Sequence, residues 1–303
     1  MKTTCSFDVQ RPATRTPTLV SVVIPLRNGA RWLGDQLEAL LAQTYPGAWE
    51  VVIADNGSTD AGVRVARGYA AKLPALAIAD ASRRRGINTA RNAGALAARG
   101  DLLLFCDADD VVGPGWIDAM VEAARGADIV GGRLCLELLN DPLNRAWRPA
   151  PPAPGPVTTH DFLPYPPGGN LAVWAAVARE LRWDERFRYA SSDQEFGWRA
   201  QLAGYTLVFA PQAVVHQRLR AGLAAMAWQQ CVHGLSAPKL LRAFRGHGIP
   251  APDNRAALAR WRWLAANAPD LWRSPERRGT WVRRAALRAG RLAGSARHLT
   301  LCL

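Results

Sequence analysis

Five short apolar runs divide the first half of the chain into near-regular units: 19–24 (LVSVVI), 50–54 (EVVIA), 75–79 (ALAIA), 101–106 (DLLLFC) and 128–131 (DIVG). Between them the apolar period changes. In WLGDQLEALLAQ (32–43), Trp32, Leu33, Leu37, Leu40 and Leu41 have helical spacing, and 61–73, the Ala-rich 88–99 and 114–124 also read as helices. Strands alternating with helices of this length imply an α/β fold with a parallel sheet and right-handed crossovers. In such sheets ligands sit beyond the carboxyl ends of the strands. The conspicuous polar clusters of this chain fall at those ends.

The second half is less regular. Residues 140–167 contain Pro142, Pro149, Pro151, Pro152, Pro154, Pro156, Pro164, Pro166 and Pro167, and a long irregular loop is expected there. GGNLAVWAAVARELRW (168–183) reads as a glycine turn followed by a helix. Residues 191–204 read as another helix, with Ser192 as its cap. YTLVFA and AVVHQ read as two strands, and no internal repeat is visible.

Length and composition narrow the possibilities. A chain of 303 residues, 49% hydrophobic and 21% charged, is globular and long enough for one large domain or two modest ones. No stretch reaches the ~18 apolar residues of a membrane span, and the N-terminus has no apolar signal region. Cys5, Cys106, Cys135, Cys231 and Cys302 are odd in number and form no CxxC pair, which argues against a disulfide framework or zinc site and fits a reducing cytosol. The net charge of +13 is unevenly placed: residues 220–303 hold 15 Lys and Arg against 3 Asp and Glu, while 1–219 hold 23 against 22. A boundary is expected near residue 220.

LLLFCDADDVV (102–112) carries the most chemistry. A strand ending in Asp-x-Asp projects Asp107 and Asp109 to one side, and with Asp110 these carboxylates repel unless a cation joins them. Hard oxygen ligands suit Mg²⁺ or Mn²⁺, which bind through one or two carboxylates plus substrate phosphates. The plain alternative is an acidic turn capping the helix at Pro114. A phosphatase of the haloacid dehalogenase type is another, although its motif sits on the first strand and here it follows three strand–helix units. DNGSTD (55–60) places Asp55 to accept from a base N–H or a sugar hydroxyl, or is an ordinary strand–helix junction. Arg83, Arg84, Arg85 and Arg91 could hold a diphosphate or solvate a loop.

Together, SVVIPLRNGARWL, VVIADNGSTD, GINTARNAGALAARGDLLLFCDADD, GGNLAVWAAVARELRWDERF and SSDQEFGWRAQLAGY resemble, in order and spacing, the family 2 glycosyltransferases over residues 18–217. The resemblance implies a GT-A fold, a Rossmann-like, mixed but mostly parallel sheet flanked by helices, and inverting sugar transfer from a UDP-, GDP- or dTDP-linked donor. It implies a nucleotide-sugar half over 18–112 and an acceptor half over 113–219, preceded by a tail at 1–17. Pro25, Arg27, Asn28, Asp55, Asn56, Arg85, Arg91, Asp107 and Ala108 are then expected at the nucleotide sugar. Asp107, Asp109 and His216 are expected at a divalent metal, Mn²⁺ or Mg²⁺. Gly168, Gly169, Asn170 and Glu195 are expected around the sugar and acceptor, and Asp193 as the catalytic base. Two positions depart from the family pattern. Ser192 stands where members carry Glu beside the base, leaving Glu195 as an alternative base, and Arg84 stands where many carry Asn.

Residues 220–303 hold Trp228, Trp261, Trp263, Trp272 and Trp281 among arginines, and 276–298 reads as a basic helix with a small apolar side. It could cap the catalytic domain or lie on an anionic membrane surface. Nucleic acid is not expected, since no reading motif is present. The expected location is the cytoplasm, with peripheral attachment to the inner membrane face as an extension of that reading. Self-association stays open. The acceptor is unspecified: a hydroxyl on a glycan, lipid-linked or small molecule leads, with a polyprenyl phosphate or a catalytically silent sugar-nucleotide and membrane-binding module as rivals.

Overall fold

The apolar runs form strands of one mixed sheet, seen in a computed structural model that describes residues 14–148 and 155–302. Most of the expected N-terminal tail, Cys5, and Pro149, Pro151, Pro152 and Pro154 lie outside the described residues. The first half runs β1 (Val20–Leu26), α1 (Leu33–Leu41), β2 (Trp49–Asp55), α2 (Gly62–Gly68), β3 (Leu76–Asp80), α3 (Ile87–Ala97), β4 (Leu102–Cys106), β5 (Val111–Val112), α4 (Trp116–Ala124) and β6 (Ile129–Cys135). It continues through α5 (Pro142–Ala146), β7 (Val157–Thr158), β8 (Pro164–Tyr165), β9 (Asn170–Trp174), α6 (Ala175–Leu181), α7 (Ser192–Leu202) and β10 (Leu207–His216). The last part is helical: α8 (Leu223–Phe244), α9 (Asn254–Ala266), α10 (Asp270–Arg273) and α11 (Pro275–His298).

The sheet order is β3-β2-β1-β4-β9-β6-β10-β5. β1 pairs in parallel with both β2 and β4, and every residue of β1 and β4 is buried. Strands covered on both faces have no reason to alternate polar and apolar residues, hence their continuous runs.

Three expectations are corrected. The helix expected at 61–73 is shorter, ending at Gly68 and passing into turns. The stretch expected as a glycine turn and helix at 168–183 contains a strand, β9, antiparallel to both β4 and β6, before the short α6. A five-residue run buried on both faces does not declare itself by periodicity, and Ala-rich flanks biased the reading toward helix. The two strands expected at 205–217 are one strand, β10, broken in register between Ala210 and Val214. Pro211 lies there, and its missing N–H suits an irregular pairing. Within the expected irregular loop, the described parts include α5, capped by Asp141, and a β7–β8 hairpin.

The register of β9 sets which backbone meets the end of β4. Cys106 opposes Asn170, so Gly169 arrives beside Asp107, and Gly168 beside Asp193 and Arg91. A second apolar cluster, formed by Phe187, Trp198, Leu240 and Phe244, joins α7 to α8, with the Trp198 and Phe244 rings meeting edge-on at 5.3 Å. α8 and α11 pack backbone to backbone. A Cβ at Gly290 would strike the Cys231 carbonyl, and one at Gly234 the Leu287 carbonyl.

Candidate active site

The ends of β1, β2 and β4 open into a cavity of about 730 Å³. Each rim has a local cause. Asn56 is almost fully buried after β2. Its amide nitrogen donates to the carbonyls of Ala81 and Arg84, and its oxygen accepts from Gly86 N at 2.8 Å. One amide thus ties the arginine loop 83–86 to the end of β2 and aims Arg85 into the cavity. Arg27 crosses from β1, donating to the Asn56 carbonyl at 3.2 Å.

The opposite wall is acidic and tightly fitted. Arg91, only 3% exposed on α3, donates to Asp193 Oδ1 at 3.0 Å and to Ser192 Oγ at 3.2 Å. Ser192 Oγ in turn donates to Asn88 Oδ1 at 2.5 Å, so the start of α7 is fastened to α3. This corrects the expected cap, since Ser192 makes no capping bond to its own helix. A Cβ at Gly168 would strike Asp193 Oδ1 and the Arg91 guanidinium, and one at Gly169 would lie 2.6 Å from Asp107 Oδ2. Only glycine leaves room for these side chains.

Burial pushes the Asp107 carboxyl up to about 6, with Asp109 and Asp193 adding to the rise and Arg91 and Arg220 opposing it. Asp110 is 2% exposed and likewise raised, first by burial and then by Asp107 and Asp109. Its Oδ1 accepts from Arg218 N at 2.7 Å, while Oδ2 is buried without a partner.

Of the residues expected at the site, Pro25, Arg27, Asn56, Arg85, Arg91, Asp107 and Asp193 line the cavity, and Gly168 and Gly169 press against its acidic wall. Asp55 and Asn28 are absent from the lining and hold the adjoining turn: Asp55 Oδ1 accepts from Ser58 N, and Asn28 Oδ1 from Thr59 N at 2.7 Å. Ala108 is buried beneath the acidic turn. Asp109 lies outside the lining, its carbonyl accepting from Arg218 Nε at 2.9 Å. Asn170 is fully buried and wholly engaged as a strut, bonded to Trp116 Nε1 and to the carbonyls of Arg133 and Ala213. Glu195 is buried in an ion pair with Arg199 at 2.6 Å and does not reach the cavity. His216 ends β10 opposite Val111, with Nδ1 buried and unpartnered.

Tyr165, Arg188, Tyr189, Arg220 and His233 also line the cavity and were not foreseen. They come from the proline-rich stretch, the turn before α7, the link after β10 and the middle of α8. Arg220, the first residue of the acid-poor extension, is the one with a signal in the sequence.

Among the described residues, no three His, Cys, Asp or Glu side chains converge as a self-sufficient metal site would. The donor set still fits a divalent ion that completes its shell with phosphate and water. Asp107 and Asp109 leave one turn together, and Asp110 Oδ2 and His216 Nδ1 are orphaned nearby.

A mostly parallel sheet with helices on both faces, an antiparallel strand inserted in it and a strand-end cavity defines a GT-A-type transferase fold. The mannosyltransferase PcManGT from Pyrobaculum calidifontis, solved with GDP-Man and Mn²⁺, shares it at a TM-score of 0.60 and 20% identity, over 96% of this chain and 90% of that one. S. aureus TarS 1–349 with UDP-GlcNAc matches at a TM-score of 0.54 and 16% identity, over 93% and 92%. Residues 21–154 match the model of glycosyl transferase family 2. Succinoglycan biosynthesis protein ExoM of Rhizobium meliloti is 28% identical over 86% of this chain and 88% of its own length. Glycosyltransferase AglE of Haloferax volcanii is 35% identical, but over 40% of this chain and 41% of its own, so the match spans less than half of that relative.

Proposed function

We propose that this protein transfers a sugar, with inversion, from a nucleoside-diphosphate sugar to an acceptor hydroxyl, with Asp193 as the base. The observation that carries the reading is the convergence of Arg91, Asp107 and Asp193 on one wall of the strand-end cavity. The nucleotide lies against the ends of β1 and β2, where Arg27 and Arg85 face its phosphates. The ligands bound by PcManGT and TarS support a donor of this class.

The leaving diphosphate gathers negative charge as the glycosidic bond breaks, and Arg85 and Arg220 stand on the cavity wall to oppose it. Asp107 and Asp109, with His216 beside them, would hold a divalent ion, which supplies further positive charge to the diphosphate when bound. Arg91 holds Asp193 through Oδ1 and fixes its direction, and Oδ2 takes the proton of the attacking hydroxyl. Glu195 has no part in this step because Arg199 occupies it.

The test is a thermal-shift panel of UDP-, GDP- and dTDP-sugars with and without Mn²⁺. A rise in melting temperature with one donor class, larger with Mn²⁺, is expected. No shift with any nucleotide sugar or nucleoside diphosphate refutes the donor reading.

The surface of 220–303 supports a second element, peripheral attachment at the inner membrane face. No helix among the described residues is long and apolar enough to cross a membrane. Trp228 on α8 and Trp272 on α10 are nevertheless 72% and 78% exposed, and exposed Arg273, Arg277 and Arg278 follow Trp272, the side-chain chemistry of an interfacial anchor.

A further inference from the structure

The C-terminal helices hold a concentration of charge that the transfer chemistry leaves unused. Arg148, following α5, and Arg283, Arg284 and Arg288 on α11 have no carboxylate partner among the described residues. The acids of 220–303 are all committed elsewhere. Asp253 caps α9, Asp270 pairs with Arg273 and Arg277 at 3.1 and 3.6 Å, and Glu276 sits in the exposed first turn of α11 with Ser274. Residues 149–154 (PAPPAP) carry no acid.

Arg288 is buried and Arg148 and Arg283 are half-buried, so these cations are partly withdrawn from solvent. Arg288 is 8% exposed, and its Nη1 donates to the Arg284 carbonyl at 2.8 Å. Arg148 gives Nη1 to Gln229 Oε1 at 3.3 Å, while its Nε and Nη2, and Arg283 Nε, are buried with no acceptor. Burial, and then the neighbouring arginines, lower the guanidinium of Arg288 to about 10 and shift those of Arg148 and Arg283 in the same direction. Gathered cations with orphaned donors are costly in the free protein. An oxyanion would supply both the charge and the acceptors.

The cluster lies next to the cavity. Gln229, which holds Arg148, stands one turn of α8 before His233, which lines the cavity, so about 6 Å along the helix separates them. Trp147 seats this segment on α11, packing on Gly279 and donating to the Pro275 carbonyl at 3.0 Å. Arg283 follows Gly279 by one turn.

We propose that Arg148 and Arg283 form a phosphate-binding subsite, one helical turn behind the cavity wall, that holds a phosphate or diphosphate group of the acceptor away from its reacting hydroxyl. Guanidinium forks match phosphate oxygens in pairs, and a multiply charged anion answers several uncompensated cations better than one carboxylate. The assignment to the acceptor rests on the donor occupying the strand-end side, as proposed above.

The test uses the full chain in EDTA, titrated calorimetrically with pyrophosphate. Wild type should bind, and the Arg148→Gln/Arg283→Gln variant should bind at least tenfold more weakly. Arg67→Gln, exposed on α2 and outside both sites, should bind as wild type does, and Arg85→Gln reports any pyrophosphate held on the donor side instead. Loss of binding in Arg85→Gln with retention in the double variant, or no binding by wild type, overturns the subsite. Removing mutually repelling arginines should leave the melting temperature of the free protein unchanged or raised; a fall of several degrees would make them structural and overturn the proposal. Farnesyl diphosphate compared with pyrophosphate separates the sources: tighter binding means a lipid-linked acceptor, equal binding a soluble one, and both retain the subsite. If the nucleotide panel fails while pyrophosphate still binds through these arginines, only the donor assignment falls.

Discussion

Asp193 carries the sharpest prediction at the scale of single residues. Its side chain is 34% exposed toward the cavity, and the Arg91 it engages is nearly fully buried. Asp193→Asn removes the proposed base while keeping shape, and transfer should fall by about 10²–10⁴-fold. Donor binding in the thermal-shift assay should stay within a few-fold of wild type. Losing a charged hydrogen bond to Arg91 should cost roughly 1–3 kcal/mol of stability, measurable by denaturant melts. A near-normal transfer rate would instead indicate an acceptor phosphate, which needs no base. Glu50 gives a second, structural prediction. It is buried, and burial alone would raise its carboxyl; bonds from Arg99 N, Ser21 Oγ and the Arg99 side chain outweigh that and hold it below its ordinary value. The Arg99 side chain is largely exposed, so the ion pair itself adds little, and the bonds from Ser21 and the Arg99 backbone dominate. A lowered carboxylate stabilises the fold above its ordinary pKa and loses that contribution as pH falls through the folded value. Glu50→Gln should therefore melt below wild type from neutral pH to about 5, by roughly 1–3 kcal/mol, with the gap closing below the ordinary value of 4.5.

Among the elements, β9 decides whether the acidic wall exists. Its antiparallel register against β4 brings Gly168 and Gly169 to Asp107 and Asp193. Gly168→Ala places a methyl against Asp193 Oδ1 and the Arg91 guanidinium, the latter fixed by burial and by Ser192. The expected result is a drop of at least tenfold in kcat with the melting temperature within a few degrees, checked by transfer assays beside thermal melts; wild-type kcat would refute a tight fit at this wall. The contrast between β4 and β9 shows what a sequence displays. β1, β2 and β4 were legible because each is an apolar run leading into a polar cluster, with a helix of ordinary length after it. Asp107 was legible as a cavity residue because it follows such a run, whereas Asp193, in the first turn of α7, was reached only through the family resemblance. β9 was not legible, because insertion between β4 and β6 is a long-range pairing that leaves no local period. For the same reason Asn170 and Glu195 looked like site residues: their polarity is visible in sequence, whereas their burial against Trp116 and Arg199 is a tertiary outcome. His233 and Tyr189 reach the cavity only because α8 and the turn before α7 fold over it.

Across the whole molecule, the charge asymmetry is the property with the largest reach. Residues 220–303 carry a net charge of +12 on a helical layer joined to the rest through the Trp198–Phe244 contact and the seat of Trp147 on Gly279. α11 is therefore no free amphipathic helix: part of its arginine content faces α8 and α5, and only the remainder meets solvent. That division weakens a model in which α11 alone dips into a bilayer and favours one in which the layer docks as a rigid surface. Trp228 and Trp272 would enter the interface while exposed arginines such as Arg273, Arg277 and Arg278 meet the headgroups. Juxtamembrane basic residues contribute about 1 kcal/mol each near an anionic surface, falling off within a Debye length of ~8 Å at physiological salt. The full chain should then sediment with vesicles containing phosphatidylserine or phosphatidylglycerol and not with pure phosphatidylcholine. Raising salt to about 0.5 M should release most of it, since screening shortens the reach of every exposed charge. Trp228→Ser/Trp272→Ser should lower the bound fraction at low salt without changing the melting temperature, because neither indole packs in the core. Equal recovery in the supernatant from anionic and neutral vesicles would leave the exposed tryptophans without a membrane role.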